Sequence, residues 1–516
     1  MKSALVMLAL AVTSPTLDQS HPILSCTRAA ALADELDNAP DLKKTQDEFF
    51  AFADQCTRDG GGADAYVLRG EANHIRGDDK AALADLTQAL SLNPASVVAL
   101  YDRGYVFALM GKPDEAIADF GDAINIKPDD EASYSARGGL YLDTGKYVEA
   151  IRDYDKAISF RNRDADLYNN RGLAHLRHGD IDPAIADFSQ AITLKPDQTS
   201  AWFNRGLASY AKKDYAKAVD DYSQADLLSP GDPDLHQNRG LAYAALGKWD
   251  DAIKDYTAAI AIVPQSTDTF IDRGSAWYAK GDTDKAIADY NAAIVLDPKT
   301  SLPWFDEGLL YSAHGDDAKA VSVFNEAIKR APNDPSAYLN RGLAEADAQQ
   351  SDAAIADLTQ SLKLQPDQLD AYLNRGYAYL EKRDYNDAGT DFDKAVSLKP
   401  ADVEALNGRC WLRAVTGQNL NGAMDDCDKA LAAEPNAAEV LDSRAFVRFR
   451  SGDLPNALAD YEAALKANPK LASSLFMRGV VKLKLGQEAE GRADIAAASA
   501  LSTGIAATYA GYGVTP

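Results

Sequence analysis

The chain has 516 residues, is 46% hydrophobic and 25% charged, and carries a formal net charge of −25. That balance belongs to an ordered chain rather than a disordered one. The negative charge argues against nucleic acid, whose binding needs basic surface to displace counterions, disfavours anionic membrane surfaces, and leaves basic or neutral partners.

Lys2 precedes an apolar run from Ala4 to Val12, and Thr13, Ser14 and Pro15 follow. The run is too short to span a bilayer and fits the apolar stretch of a secretory signal. Residues 1–20 are therefore predicted as a signal peptide, with export to a periplasmic or extracellular space; a cytoplasmic chain with an apolar start is the alternative. Residues 21–62 read as an N-terminal helical cap, with helices around Thr27–Leu36 and Asp41–Gln55 and a triple glycine, Gly60 to Gly62. Cys26 and Cys56 bracket this segment, while Cys410 and Cys427 lie together further on. Two local pairs suit an oxidising compartment, so Cys26–Cys56 and Cys410–Cys427 are the predicted disulfides. The competing reading makes Cys410 and Cys427 small core residues.

From residue 63 to 501 the chain is a repeat. Arginine stands at Arg69, Arg103, Arg137, Arg171, Arg205, Arg239 and Arg273, each 34 residues after the last. Glu307 takes the next place, and Arg341, Arg375, Arg409, Arg444 and Arg478 continue the series, with one extra residue before Arg444. Thirteen units at this period mean a helical array. With the arginine as position 7, position 4 is mostly aromatic, position 8 mostly glycine, position 20 mostly alanine, position 24 mostly aromatic and position 32 mostly proline, as in Tyr372, Gly376, Ala388, Phe392 and Pro400. Positions 4, 8 and 11 make one helical stripe and positions 20, 24 and 27 another. Glycine at position 15, as in Gly111 and Gly281, supplies a left-handed stop; aspartate at position 16, as in Asp180 and Asp282, can cap the second helix.

This unit resembles the tetratricopeptide repeat (TPR). The resemblance implies an all-α, right-handed α-solenoid superhelix of helix-turn-helix units, with the first helix of each lining the concave face. It also implies peptide or protein binding and no enzyme activity.

Aspartate occupies position 23 wherever the arginine is present, from Asp85 to Asp494, and the unit with Glu307 has Val323 there. The two vanish together. Position 7 is thus predicted to pair with position 23 of its own unit. A ring of arginines gripping an anion is the weaker alternative, because each arginine has a carboxylate of its own.

Position 6 reads Asp102, Asn170, Asn204, Asn238, Asp272, Asp306, Asn340 and Asn374, with Ala136 interrupting. An amide offers a donor and an acceptor together, so these residues are the candidate peptide-binding groove. The row resembles the asparagine ladder lining O-GlcNAc transferase, apart from its aspartates. The alternative is that these amides bond their own neighbours. Position 9 is mostly apolar, as in Tyr105, Leu173, Leu207 and Trp411, and position 2 adds Asp166, Asp234, Asp268, Asp370 and Glu404. The position 9 residues either pack on the adjacent first helix or line the groove; with the acidic margins of position 2, the groove suits an extended peptide carrying lysine or arginine.

No phosphate loop, dinucleotide fingerprint or serine elbow is present, so no enzyme activity and no cofactor are expected. His175 and His178 are explained by packing and by the turn, and no metal site is expected. The tail, residues 502–516, holds Tyr509 and Tyr512 and either folds back or meets a partner. A secretion or envelope-assembly subunit using its convex face and tail is the second functional expectation.

Overall fold

The computed structural model describes residues 24–36 and 41–516. The predicted signal segment, residues 1–20, lies outside them. The described residues form 29 helices and no strand. The chain divides into two compact units, one ending at Pro264 and the other beginning at Gln265. The first unit holds the hairpin Leu24–Glu35 and Leu42–Arg58, then repeat pairs beginning with Gly62–Ile75 and Asp79–Leu92. The second unit stacks pairs from Thr267–Ala279 and Thr283–Leu296 onward and closes with the short helix Ile505–Gly511. Within each unit a helix packs on its hairpin partner and on the next pair, which is an all-α solenoid.

Each repeat forms helices over positions 1–13 and 17–30, as in Val97–Leu109 and Pro113–Ile126. Between them position 15 is left-handed: Gly111 has φ +72° and Gly281 +83°. Lys213 and Gln349 occupy the same place with φ +65° and +59°. A side chain there crowds its own carbonyl and costs roughly 1–2 kcal/mol, which glycine avoids at some entropic expense. Lys213→Gly and Gln349→Gly are each expected to stabilise the protein by about 0.5–1 kcal/mol, read as a raised urea midpoint; a lowered midpoint would overturn the strain argument.

Asp282 caps its helix, accepting from the Lys285 N–H. Asp180 does not cap the following helix with its side chain. Its Oδ2 instead meets Nδ1 of His175 at 3.2 Å and of His178 at 3.0 Å. The competing imidazoles draw the carboxylate away from the helix end.

The position 8 glycines do something narrower than let two backbones approach. A Cβ on Gly240 would sit 2.6 Å from the Tyr256 ring, and one on Gly308 2.6 Å from the Phe324 ring. The glycine makes room for the aromatic residue at position 24 of the same unit. Close backbone approach occurs in the final pair, where a Cβ on Gly479 would lie 2.7 Å from the Gly491 carbonyl. Where Cys410 replaces the glycine, Cys427 replaces the aromatic residue, and the two are bridged with Cα atoms 5.8 Å apart. Cys26 and Cys56 are bridged across the first hairpin, with Cα atoms 4.7 Å apart. They lie in a small core with Leu32, Phe49 and Leu68 that joins the hairpin to the first repeat.

The arginine of every repeat that carries one binds the aspartate of its own second helix in bidentate fashion. Arg205 donates from Nε and Nη2 to Asp221 at 3.0 and 2.7 Å; Arg375 does the same to Asp391 at 2.8 and 2.7 Å. The Asp221 carboxylate is 0% exposed and the Arg205 side chain 12%, so this is no surface ion pair. Hydrogen bonding to the carboxylate raises the guanidinium pKa in Arg171, Arg239 and Arg409. Glu307, without such a partner, is buried, and desolvation raises its pKa.

In several repeats the remaining nitrogen, Nη1, reaches back to position 25 of the preceding pair. Arg171 meets Asp155 at 2.6 Å, Arg205 meets Ser189 at 3.1 Å, Arg375 meets Thr359 at 2.9 Å, and Arg409 meets Asp393 at 2.9 Å. One side chain therefore ties a hairpin together and joins it to its neighbour.

Candidate functional site

The position 6 residues lie on the first helices and are half-buried, apart from Asp102, which is buried. In the first unit, Asn238 donates from Nδ2 to the Asp234 carbonyl at 2.7 Å. In the second, Asn340 donates to the Ser336 carbonyl at 2.9 Å and Asn374 to the Asp370 carbonyl at 2.8 Å. A carbonyl can only accept, so these bonds fix which amide atom is which. Oδ1 of each accepts no hydrogen bond among the described residues. Asn204 behaves differently, donating to Asn169 Oδ1 of the preceding pair at 3.0 Å. The Asn170 Oδ1 takes a long bond from Asn169 at 3.4 Å, and its Nδ2 has no partner among the described residues.

Two aspartates of the row, Asp102 and Asp306, stand in dry surroundings. Desolvation pushes Asp306 up to about 6. Asp102 and Glu71 bring two buried carboxyl groups together without an ion-pair partner for either among the described residues, and burial pushes both upward, Asp102 to about 7. A carboxyl whose folded pKa is raised stabilises the fold below its unfolded value, near 3.8, and loses that contribution as pH rises through about 7. Asp102→Asn is therefore expected to raise the melting temperature at pH 8 and to have a smaller effect at pH 4. An equal shift at both pH values would show that titration is not the cause.

Position 9 is largely packing surface. Leu173 lies against Phe188 and Ala208, Leu207 against Tyr222, and Leu309 against Phe324. At the end of the second unit the tail covers this row. The helix Ile505–Gly511 places Tyr509 over Trp411, Phe446 and Phe476, with ring centroids 6.5, 5.7 and 5.2 Å away. Arg450 clamps the tail, donating to the Tyr512 carbonyl at 2.6 Å. The tail is thus folded onto the array, which leaves the buried Tyr509 unsuited to the partner contact that was one expectation for it.

The TPR_16 tetratricopeptide-repeat family model matches residues 76–131, 169–233, 238–300, 305–367, 339–403, 373–438 and 444–504, more than half of the chain. The chain is a tetratricopeptide repeat protein. A second TPR model matches residues 138–179. Among solved structures, this TPR protein is similar to MamA, with 24% identity over 33% of this chain and 92% of that one and a TM-score of 0.31. It is similar to YrrB, described as a TPR protein with an unusual peptide-binding site, with 21% identity, 38% and 97% coverage and a TM-score of 0.33. It is also similar to the C-terminal part of a TPR repeat-containing protein from Cytophaga hutchinsonii, with 20% identity, 47% and 98% coverage and a TM-score of 0.41. These likenesses concern the fold alone. No curated protein sequence matches the chain.

No described helix is long and apolar enough to cross a membrane. Sequence reasoning missed position 25. The residues that take the bond include Asp155, Ser189, Thr359 and Asp393, alike only in accepting it, so no single residue type marks the row.

Proposed function

We propose that this TPR protein is a non-enzymatic, exported scaffold that holds extended peptides against the first-helix face of its repeats. The observation that carries the reading is the state of Asn238, Asn340 and Asn374. Each amide nitrogen is tethered to its own helix, which holds Oδ1 still as an acceptor for a peptide N–H. A fixed acceptor costs little ordering entropy on binding. The net charge of −25 favours basic segments. Export agrees with the apolar run Ala4 to Val12 and with the two cysteine pairs.

The test is an immobilised array of extended peptides probed with the wild-type chain and with the triple variant Asn238→Ala, Asn340→Ala, Asn374→Ala. Binding by the wild type, weakened by about 1 kcal/mol per lost amide contact, is the expected result. Undiminished binding by a folded triple variant would remove the amide row from the function. No binding by the wild type would remove the scaffold reading itself.

A second reading, assembly through another face, draws on one feature. Leu92, Ile126, Phe160, Leu228 and Ile262, all at position 30 in the first unit, are exposed. Leu194, at the same position, is half-buried and interrupts the row; the exposed members are the apolar surface an assembly partner would cover. Charged substitutions along it that abolish co-purification of a partner, with array binding intact, would favour this reading.

A further inference from the structure

The row of groove residues is interrupted once within the first unit, and the interruption is hollow. The repeat over residues 131–164 has Ala136 at position 6, where the flanking repeats carry Asp102 and Asn170, and Gly139 at position 9, where they carry Tyr105 and Leu173. With one side chain cut to a methyl and the other absent, a cleft of about 50 Å³ opens on the first-helix face. Tyr105 closes one side, Asn170 the other, and Phe120, Leu140 and Tyr154 form the floor. Ser135 and Asp143 supply the remaining polar edge.

Three details distinguish this cleft from a packing defect. A Cβ built on Gly139 meets only the Tyr154 hydroxyl, at an ordinary 3.6 Å. The fold therefore does not require glycine there, unlike Gly240 or Gly308, whose Cβ atoms would strike a ring. Asn170, alone among the four asparagines compared with it above, keeps an amide nitrogen without a partner among the described residues. Asp143 is exposed, lines the cleft, and has neither an ion-pair nor a hydrogen-bond partner among the described residues. Desolvation by the surrounding side chains holds its pKa above the ordinary aspartate range, so a cation brought beside it would be well received.

We infer that the cleft framed by Tyr105, Ala136, Gly139, Asp143 and Asn170 is a specificity pocket for an aliphatic side chain in an extended peptide whose adjoining residue is lysine or arginine. The apolar floor takes the aliphatic group. The free Asn170 amide donates to a peptide carbonyl, and Asp143 faces the neighbouring cation. The inference rests on the peptide-scaffold reading and adds the class of side chain recognised.

The experiment uses the full chain and the same peptide array, with the central residue and the charge of its neighbours varied independently. Wild-type binding is expected to concentrate on an aliphatic centre flanked by lysine or arginine. Gly139→Leu restores the side chain found in neighbouring repeats and fills the cleft. It is expected to weaken the best such peptide, measured free in solution by fluorescence anisotropy, at least tenfold. Its melting temperature should match or exceed that of the wild type, because leucine also replaces a helical glycine. Asp143→Asn is the second variant. It removes the preference for flanking lysine or arginine while keeping the preference for an aliphatic centre. An array profile unchanged by both variants would overturn the pocket and leave the scaffold reading standing. A wild-type profile indifferent to the central residue would also overturn it. A wild-type chain that binds no peptide would end both.

Discussion

Asp221→Ala is expected to cost about 3 kcal/mol, the scale for breaking a buried pair by removing one partner. The size follows from burial. Asp221 is fully enclosed and Arg205 nearly so, so the substitution leaves a guanidinium that water reaches poorly. It keeps the bond from Nη1 to Ser189, and it loses the two bonds that offset its desolvation. Lys217, whose Nζ lies 3.3 Å from Asp221, loses its partner as well. The double replacement Arg205→Leu with Asp221→Val should cost less than the single one, because no charge is then stranded. The repeat with Glu307 and Val323 also lacks the pair, but it keeps a buried carboxyl there, so it is not a precedent for the apolar replacement. Native-state hydrogen exchange reads the effect locally, as a fall of about a hundredfold in protection across Thr199–Ala211 and Tyr215–Leu228. A single variant no worse than the double would refute the view that the stranded charge sets the cost.

That pair was legible in the sequence because two identical residue types recur at one spacing and disappear together at Glu307 and Val323. The helix pairs were legible for a related reason: glycine at position 8 and an aromatic residue at position 24 recur often enough to show the stripe. What stayed hidden was heterogeneous or local. The reach of the arginines to Asp155, Ser189 and Thr359 is a shared function without a shared residue. The amide row was visible as a row, but its hydrogen bonds were not. Asn238 turns to its own helix while Asn204 turns to its neighbour, and the same residue at the same position does both. Asp102 reads as an asparagine substitute in sequence, yet it is buried beside Glu71 because that glutamate replaces the apolar residue of position 9. The cleft at Gly139 is defined by side chains that are cut back or absent, and an absence carries no pattern.

Tyr509→Ala is expected to cost about 3–5 kcal/mol, the range for deleting a large aromatic side chain from a packed core. The sequence around it, from Ile505 to Gly511, is rich in alanine and lacks the repeat stripe, so nothing in it announced a core residue. The structure makes it one. Tyr509 is 1% exposed and belongs to the same apolar cluster as Phe446, Phe476 and Val480. Its loss opens a cavity at the end of the stack and uncouples the short helix, which is too short to persist without packing. Trp411 and Phe446 would then be uncovered together, exposing apolar first-helix surface that the wild type conceals. Two readouts follow. The unfolding transition of the second unit should move to lower urea, and binding of a hydrophobic dye should rise under native conditions. If the variant keeps wild-type stability and binds no more dye, the tail is an accessory to the array and the apolar surface beneath it is covered by other means.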